Sequence, residues 1–167
     1  IFAGLVDEES AQAGSRALVK SKFKADLAIV GEPTKLQIIP AHKGSVWLEL
    51  ETRGKAAHGA MPQFGKNAIH EMARIVNFLE TDYAARLRKR KHKLLGAATV
   101  NVGVISGGAQ PNIVPDFCRI SIDRRTLPDE TDAGVQREIG NFLRAKNLSA
   151  RIADKKLAPA PALDVGG

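Results

Sequence analysis

The chain has 167 residues, of which 44% are hydrophobic and 26% charged, with a net charge of +7 from 25 basic and 18 acidic side chains. This is the composition of a soluble globular protein with room for one compact domain and a little more. It excludes a helical membrane protein, since no apolar run approaches the roughly 20 residues of a span. It also excludes an internal disulfide, since Cys118 is the single cysteine, and a reducing, cytoplasmic setting is expected.

In chain order, residues 1–40 read as strand, short helix, strand, turn and strand. Ile1–Val6 and Leu27–Val30 are short continuous apolar runs, as expected for strands buried on both faces. Ala11–Lys20 between them has helix-forming composition. Acidic residues stand where the two runs stop: Asp7-Glu8-Glu9 after the first and Glu32 after the second, in Gly31-Glu32-Pro33-Thr34. Carboxylates at strand ends border the crevice in which open α/β sheets bind ligands. Adjacent residues on an extended backbone point to opposite faces, so Glu8 and Glu9 cannot share one task. The plainer reading of both motifs is a solvated turn.

From Gly44 the pattern changes. Ser45–Arg53 alternates, with Val46, Leu48 and Leu50 inward and Trp47, Glu49 and Glu51 on a half-exposed side. A loop, Gly54–Lys66, follows. Asn67 is suited to cap a helix running from about Ala68 to Arg90, with Ile69, Met72, Ala73, Val76, Leu79, Tyr83 and Leu87 at helical spacing. The helix ends in Arg86–Lys93, where six of eight residues are Lys or Arg. Without an aromatic residue for base stacking, that run reads as a solvated helix end facing the negative pole of the helix dipole, and no nucleic-acid partner is expected. Thr99–Ile105 is expected as a strand with Val100, Val102 and Val104 on one side. After Gly107-Gly108, Phe117–Arg125 alternates with Cys118, Ile120 and Ile122 inward. Thr131 is expected to cap a helix to about Lys146, carrying Val135, Ile139, Phe142 and Leu143, and Ser149–Asp154 is a last short strand.

The fold class is therefore α+β. Residues 41–154 follow the order β-α-β-β-α-β, a ferredoxin-like arrangement with an antiparallel four-stranded sheet and two helices on one face. It is preceded by a partial α/β segment over residues 1–40. Ile1 lies inside an apolar run without an initiator Met or signal pattern, and Ala/Pro-rich Leu157–Leu163 leads to a bare Gly166-Gly167, so the chain reads as a piece of a longer protein.

Taken together, Val6-Asp7-Glu8-Glu9, Val30-Gly31-Glu32-Pro33-Thr34, His42-Lys43-Gly44, Ala57-His58-Gly59 with Pro62 and Gly65, Asn67-Ala68-Ile69, Asn112-Ile113-Val114-Pro115 and Asp123-Arg124-Arg125 with Pro128 resemble one family over residues 1 to about 157. It is the co-catalytic zinc deacylase and peptidase family that includes acetylornithine deacetylase, succinyl-diaminopimelate desuccinylase, aminoacylase and glutamate carboxypeptidase. The resemblance implies an α/β catalytic domain interrupted by a ferredoxin-like lid that also forms a homodimer. Residues 1–40 would belong to the catalytic domain, 41–154 to the lid, and 155–167 to the start of the return.

The resemblance also implies roles. Glu8 matches the general base and acid, Glu9 a ligand of one zinc and Glu32 a ligand of the other, with cobalt as an alternative metal. His58 matches the lid histidine that stabilises the tetrahedral oxyanion in the partner subunit's site. Asn112 and Arg125 match groups that hold the carboxylate or carbonyl end of a small N-acyl amino acid or dipeptide. Read from the residues alone, His58 is a solvent-exposed loop residue, Asn112 a turn residue after Pro111, and Arg125 a partner for Asp123 or Asp129. The chain departs from the family in lacking the upstream His-x-Asp and the later His that complete the zinc site. His42, His58, His70 and His92 stand in other contexts, so neither tight zinc binding nor turnover is expected of this piece alone.

Overall fold

The computed structural model describes residues 1–9, 12–153 and 160–165. It divides into two compact units, Ile1–Ile39 and Pro40–Gly167.

The first unit contains one helix, α1 (Ala13–Lys20), which buries none of its side chains. The strands expected at Ile1–Val6 and Leu27–Val30, and the third one near Pro40, are not formed within it. Ile1, Phe2, Leu27 and Ile29 are all exposed. The reason is physical: an apolar run becomes a buried strand only with ladder partners at its edges and layers over its faces. No other described segment of the unit supplies either. The acids that the sequence placed at strand ends therefore lie at turns. The helix expected from Ala11 begins two residues later, and Ala11 is outside the described residues.

The second unit begins with β1 (Ala41–His42) and β2 (Gly44–Arg53), followed by α2 (Ala68–Phe78). α2 continues through one π turn, Leu79–Tyr83, into α3 (Ala84–Leu87). A small hairpin, β3 (Lys91–His92) and β4 (Gly96–Ala97), leads to β5 (Thr99–Gly107) and β6 (Phe117–Thr126). α4 (Asp132–Ala145), β7 (Arg151–Ala153) and β8 (Leu163–Asp164) complete it. The main elements keep the β-α-β-β-α-β order. β5, β6, β2 and β7 lie side by side in that order as a four-stranded sheet, each neighbouring pair antiparallel.

The register puts Val46, Leu48 and Leu50 of β2 on the same face as Ile120 and Ile122 of β6, through the pairs Leu48↔Ile122 and Leu50↔Ile120. Met72, Ile75, Leu79, Tyr83 and Leu87 from the first helical stretch, and Val135, Ile139 and Leu143 from α4, join that face in one core. Asn67 caps α2, its Oδ1 accepting from the backbone amides of Ile69 and His70 at 2.9 and 3.1 Å. Thr131 caps α4 by accepting from the Gly134 amide at 3.1 Å.

Several expectations about facing change. Ala73 is exposed, and Ile75 and Phe78 occupy the inner stripe of α2 instead. The π turn then adds a residue and returns Leu79, Tyr83 and Leu87 to the core. The helix stops at Leu87, and Lys91-His92 enters the hairpin. In β5 the register shifts between Val102 and Val104, so Val104 pairs with Ser121 and faces away from the core, 59% exposed. Gly103 is the extra residue of this bulge, which flips the alternation downstream. Glu51, expected on a half-exposed side, is only 3% exposed because arginines on β6 and β7 close over it. The last strand ends at Ala153, and Asp154 lies outside the described residues.

Candidate functional site

In the first unit, Glu8 and Glu9 stand in an exposed turn between Val6 and α1. The turn is closed at its base by the Gln12 amide donating to the Asp7 carbonyl at 2.7 Å and the Gly14 amide donating to that of Val6 at 3.2 Å. Glu32 precedes the Pro33 turn, its carbonyl accepting from the Thr34 amide at 2.7 Å while the residue stays exposed. Among the described residues no group of three or more His, Cys, Asp or Glu side chains is arranged to hold a metal ion. Glu9 and Glu32 offer two carboxylates, fewer than the three or four protein donors of a zinc centre. The donors among the described residues do not by themselves fit a zinc pair.

The second unit presents His58 and Asn112 together. The loops 54–66 and 108–116 are stitched by backbone hydrogen bonds: Gly59 N to Asn112 O at 2.7 Å, Val114 N to Ala57 O at 2.8 Å, and Gly54 N to Asp116 O at 2.8 Å. His58 and Ile113 form a bridge within this seam. Gly59 suits this close approach, because a Cβ on it would lie 3.0 Å from the Asn112 carbonyl carbon and oxygen and press on backbone. The loops are anchored to the capped start of α2 by the Ala68 amide, which donates to the Pro115 carbonyl at 2.8 Å. His58 and Asn112 are both exposed on this platform. The His58 ring is oriented by its Nδ1, which accepts from the Ala60 amide at 3.1 Å and leaves Nε2 for another partner. Beside them a cavity of about 530 Å³ is lined by Gly59, Asn67, Ile69, Gly108, Pro111 and Pro115, among others.

Arg125 is elsewhere. It lies on the sheet face opposite the helices, at the end of β6 that pairs with Ser45 of β2 and Thr99 of β5. His58 and Asn112 flank the other end, where Phe117 pairs with Arg53. At roughly 3.3 Å per residue, the eight steps from Phe117 to Arg125 span about 26 Å. One subunit therefore cannot apply His58, Asn112 and Arg125 to one small substrate. Of the alternatives open for Arg125, the ion pair with Asp123 is formed, Nε to Oδ2 at 2.9 Å.

The same outer face carries groups that motif reading passed over. At the far end, Glu51 accepts from Arg119 at 2.6 and 3.1 Å and is flanked by Arg151 at 3.3 Å and Arg53 at 3.8 Å. The hydrogen bond from Arg119, opposed by burial and reinforced by the neighbouring guanidinium charges, holds the Glu51 carboxyl below the ordinary carboxylate value. Arg53 and Arg119 both pack on the Phe117 ring, at 4.5 and 5.5 Å. Ser45 and Trp47 lie beside Arg125 and Asp123 on the ladder. The parity of β2 and β6 was the signal that could have grouped them.

Residues 40–151 match the family described as the peptidase dimerisation domain. The chain is 39% identical over 127 residues to an acetylornithine deacetylase of Myxococcus xanthus, covering 74% of this chain and 33% of that protein. It is 31% identical over 150 residues to a probable carboxypeptidase of Aspergillus clavatus, covering 84% of this chain and 36% of that one. Among solved structures, an aminopeptidase PepT of Bacillus cereus superposes with a TM-score of 0.65 at 22% identity over 96% of this chain and 42% of that chain, a likeness of fold. The chain thus spans about a third of the length of the curated relatives it matches.

Proposed function

The chain belongs to the peptidase dimerisation domain family, and from that premise we propose that it is the dimer-forming lid, with an adjoining stretch of catalytic domain, of an amidohydrolase that deacylates N-acyl amino acids. The observation that carries this is the placement of His58 and Asn112 at one end of the sheet and Arg125 at the other. β5 is an edge strand with Val104 and Ile105 exposed at 59% and 57%. Two copies paired antiparallel along β5 about a two-fold axis set the Thr99 end of one strand against the Gly107 end of the other. That pairing brings Arg125 of one subunit towards His58 and Asn112 of the partner subunit. In this reading the site is composite, formed by the pairing of two edge strands with no movement inside either lid.

In this reading Glu8 takes the proton of the attacking water and delivers it to the leaving amine. The Nε2–H of His58 donates to the oxyanion of the tetrahedral intermediate formed in the partner subunit's site. Arg125 holds the substrate carboxylate with its guanidinium fork, and Asn112 donates to a carbonyl. Glu9 and Glu32 would be two donors of a metal site that the rest of the whole protein completes, where the metal would polarise the substrate carbonyl. This chain by itself holds zinc weakly and turns over no substrate, because two donors fall short of a zinc site.

The test is hydrolysis by the whole protein, supplied with zinc or cobalt, of N-acyl amino acids and dipeptides. Release of amine from the acyl amino acids, abolished in Glu8→Ala, is expected. A second reading, a dipeptidase or carboxypeptidase, draws on the carboxypeptidase relative and is distinguished by preferential cleavage of the dipeptides. Absence of hydrolysis of either class removes both and leaves a non-catalytic dimerisation module. Light scattering of the 167-residue chain tests the dimer, and a monomer at high concentration counts against pairing along β5.

A further inference from the structure

Asp123 uses its two carboxylate oxygens separately. Oδ2 accepts from Arg125 Nε at 2.9 Å, and Oδ1 accepts from Ser45 Oγ at 3.2 Å. Ser45 is itself held by paired backbone hydrogen bonds with Ala160, Ser45 N to Ala160 O at 2.8 Å and Ala160 N to Ser45 O at 3.0 Å. A fixed backbone thus fixes the serine, the serine fixes the carboxylate, and the carboxylate takes the Nε of the arginine. The two Nη groups of Arg125 have no partner among the described residues, and its side chain is 48% exposed. These Nη groups form the edge of a guanidinium that receives a second carboxylate end-on with two parallel hydrogen bonds.

The ladder adds a wall. Trp47 stands directly opposite Asp123 on β2, and Asn101 opposite it on β5, all on the face away from the helices. Trp47 is 50% exposed, and the core stripe of β2 does not use it. An exposed indole next to an aimed guanidinium suits a ligand with a free carboxylate and a chain that lies along an aromatic surface.

We propose that Asp123 is a positioning residue: braced by Ser45, it orients the Nη edge of Arg125 towards the free carboxylate of an amino-acid-like substrate whose side chain packs against Trp47. This rests on the reading of Arg125 as the holder of the substrate carboxylate. An arginine left to itself surrenders considerable rotamer freedom when it binds. Asp123 removes that loss in advance, at the expense of part of the long-range attraction that Arg125 exerts on an anion.

The experiment uses the whole enzyme with an N-acyl amino acid and its carboxamide counterpart as paired substrates. Asp123→Ala is expected to raise KM for the carboxylate substrate about tenfold or more, with kcat within about twofold and the carboxamide kinetics unchanged. Asp123→Asn, whose side-chain oxygen still accepts from Nε, is expected to recover most of the loss, and Ser45→Ala to show a smaller rise of the same kind. Trp47→Ala is expected to raise KM for substrates with long side chains more than for glycine derivatives. If Arg125→Ala raises KM for the carboxylate substrate while Asp123→Ala leaves it unchanged or lowers it, the positioning role is overturned and the reading of Arg125 stands. If Asp123→Ala impairs both substrates equally, its role is structural and the proposal fails. If Arg125→Ala affects neither substrate, the underlying reading of Arg125 fails with it.

Discussion

Arg124 Nε donates to the hydroxyl of Tyr83 at 3.2 Å, and neither residue has any exposed surface. This bond ties the π turn after α2 to the centre of the sheet. Arg124 also donates to the Arg125 carbonyl and, through Nη2, to Glu130 at 2.7 Å, while the Glu130 carboxylate accepts the Leu127 amide at 2.9 Å. Burial raises the Tyr83 hydroxyl above its ordinary value, so it stays neutral and accepts. Burial opposes the charge on Arg124, but Tyr83 and Glu130 more than offset it and the guanidinium remains ionised.

Arg124→Met is therefore expected to cost about 3–5 kcal/mol, since it strips a buried charge pair of one partner. Tyr83→Phe is expected to cost about 1–2 kcal/mol, the penalty of a buried donor left without an acceptor. The double variant should lose less than the sum, because the two share one network. Urea unfolding of the three variants measures all of this. Losses of only a few tenths would show that the network is dispensable.

Glu51 yields a prediction about pH. Its folded-state pKa is lowered, so its contribution is present above the ordinary glutamate value of about 4.3 and disappears as pH falls through the folded-state value. Glu51→Gln should be less stable than the parent at pH 7, and the difference should shrink as pH falls below the ordinary glutamate value and through the folded-state one. A gap of equal size at pH 3 and pH 7 would separate Glu51 from the acid sensitivity of the unit.

His92 Nε2 lies 3.0 Å from Asp164 Oδ2, joining the β3–β4 hairpin to β8, which pairs with β1. Lys43 Nζ donates to the Ala97 carbonyl of the same hairpin at 2.6 Å. The effect of His92→Ala should be local. Amide exchange at Ala41 and His42 is expected to accelerate while global stability shifts by less than about 1 kcal/mol, as for other partly exposed polar contacts. Unchanged exchange at those amides would show that the hairpin does not hold the ladder.

Gly44 starts β2 where three segments converge. A Cβ there would press on the Thr126 hydroxyl and lie 2.6 Å from both the Ala160 carbonyl and the Ala162 amide. Two of these neighbours are backbone and cannot swing aside. Gly44→Ala should destabilise the unit by about 1–3 kcal/mol, read as a lowered Tm. A Tm equal to that of the parent would mean that the segment carrying Ala160 is free to retreat.

The proposed composite site predicts complementation. His58→Ala and Arg125→Ala whole proteins should each be nearly inactive alone. Mixed under conditions that exchange subunits, half the dimers become hybrids, each with one site holding both native residues, so about a quarter of parental activity should return. No recovery on mixing would place both residues in the same subunit's site or in none.

Much of the second unit was legible in its residues. Val46, Leu48 and Leu50 announced β2 by alternation, Asn67 and Thr131 announced two helix starts by their capping chemistry, and the resulting order of elements matches. The bulge at Gly103, which turns Val104 outward, left no trace in a pattern of alternating valines. The burial of Glu51 and Arg124 was equally hidden, because each depends on partners 68 and 41 residues away. Of the candidate site residues, His58 and Asn112 meet through a backbone seam that no motif spacing encodes. Arg125 lies a sheet length away from them.

Local information was sufficient to place the main helices and strands from Gly44 onward, though not the Lys91–Ala97 hairpin or β8, because period, caps and turn residues act within a few positions of themselves. Neither the face on which a charged side chain ends nor the residues that share a pocket follows from such rules. Those depend on ladder register and on partners far along the chain, as the Ser45–Asp123–Arg125 chain of hydrogen bonds does. The apolar runs of residues 1–39 make the same point from the other side: alternation and hydrophobicity create a candidate strand, and only a neighbouring strand makes it one.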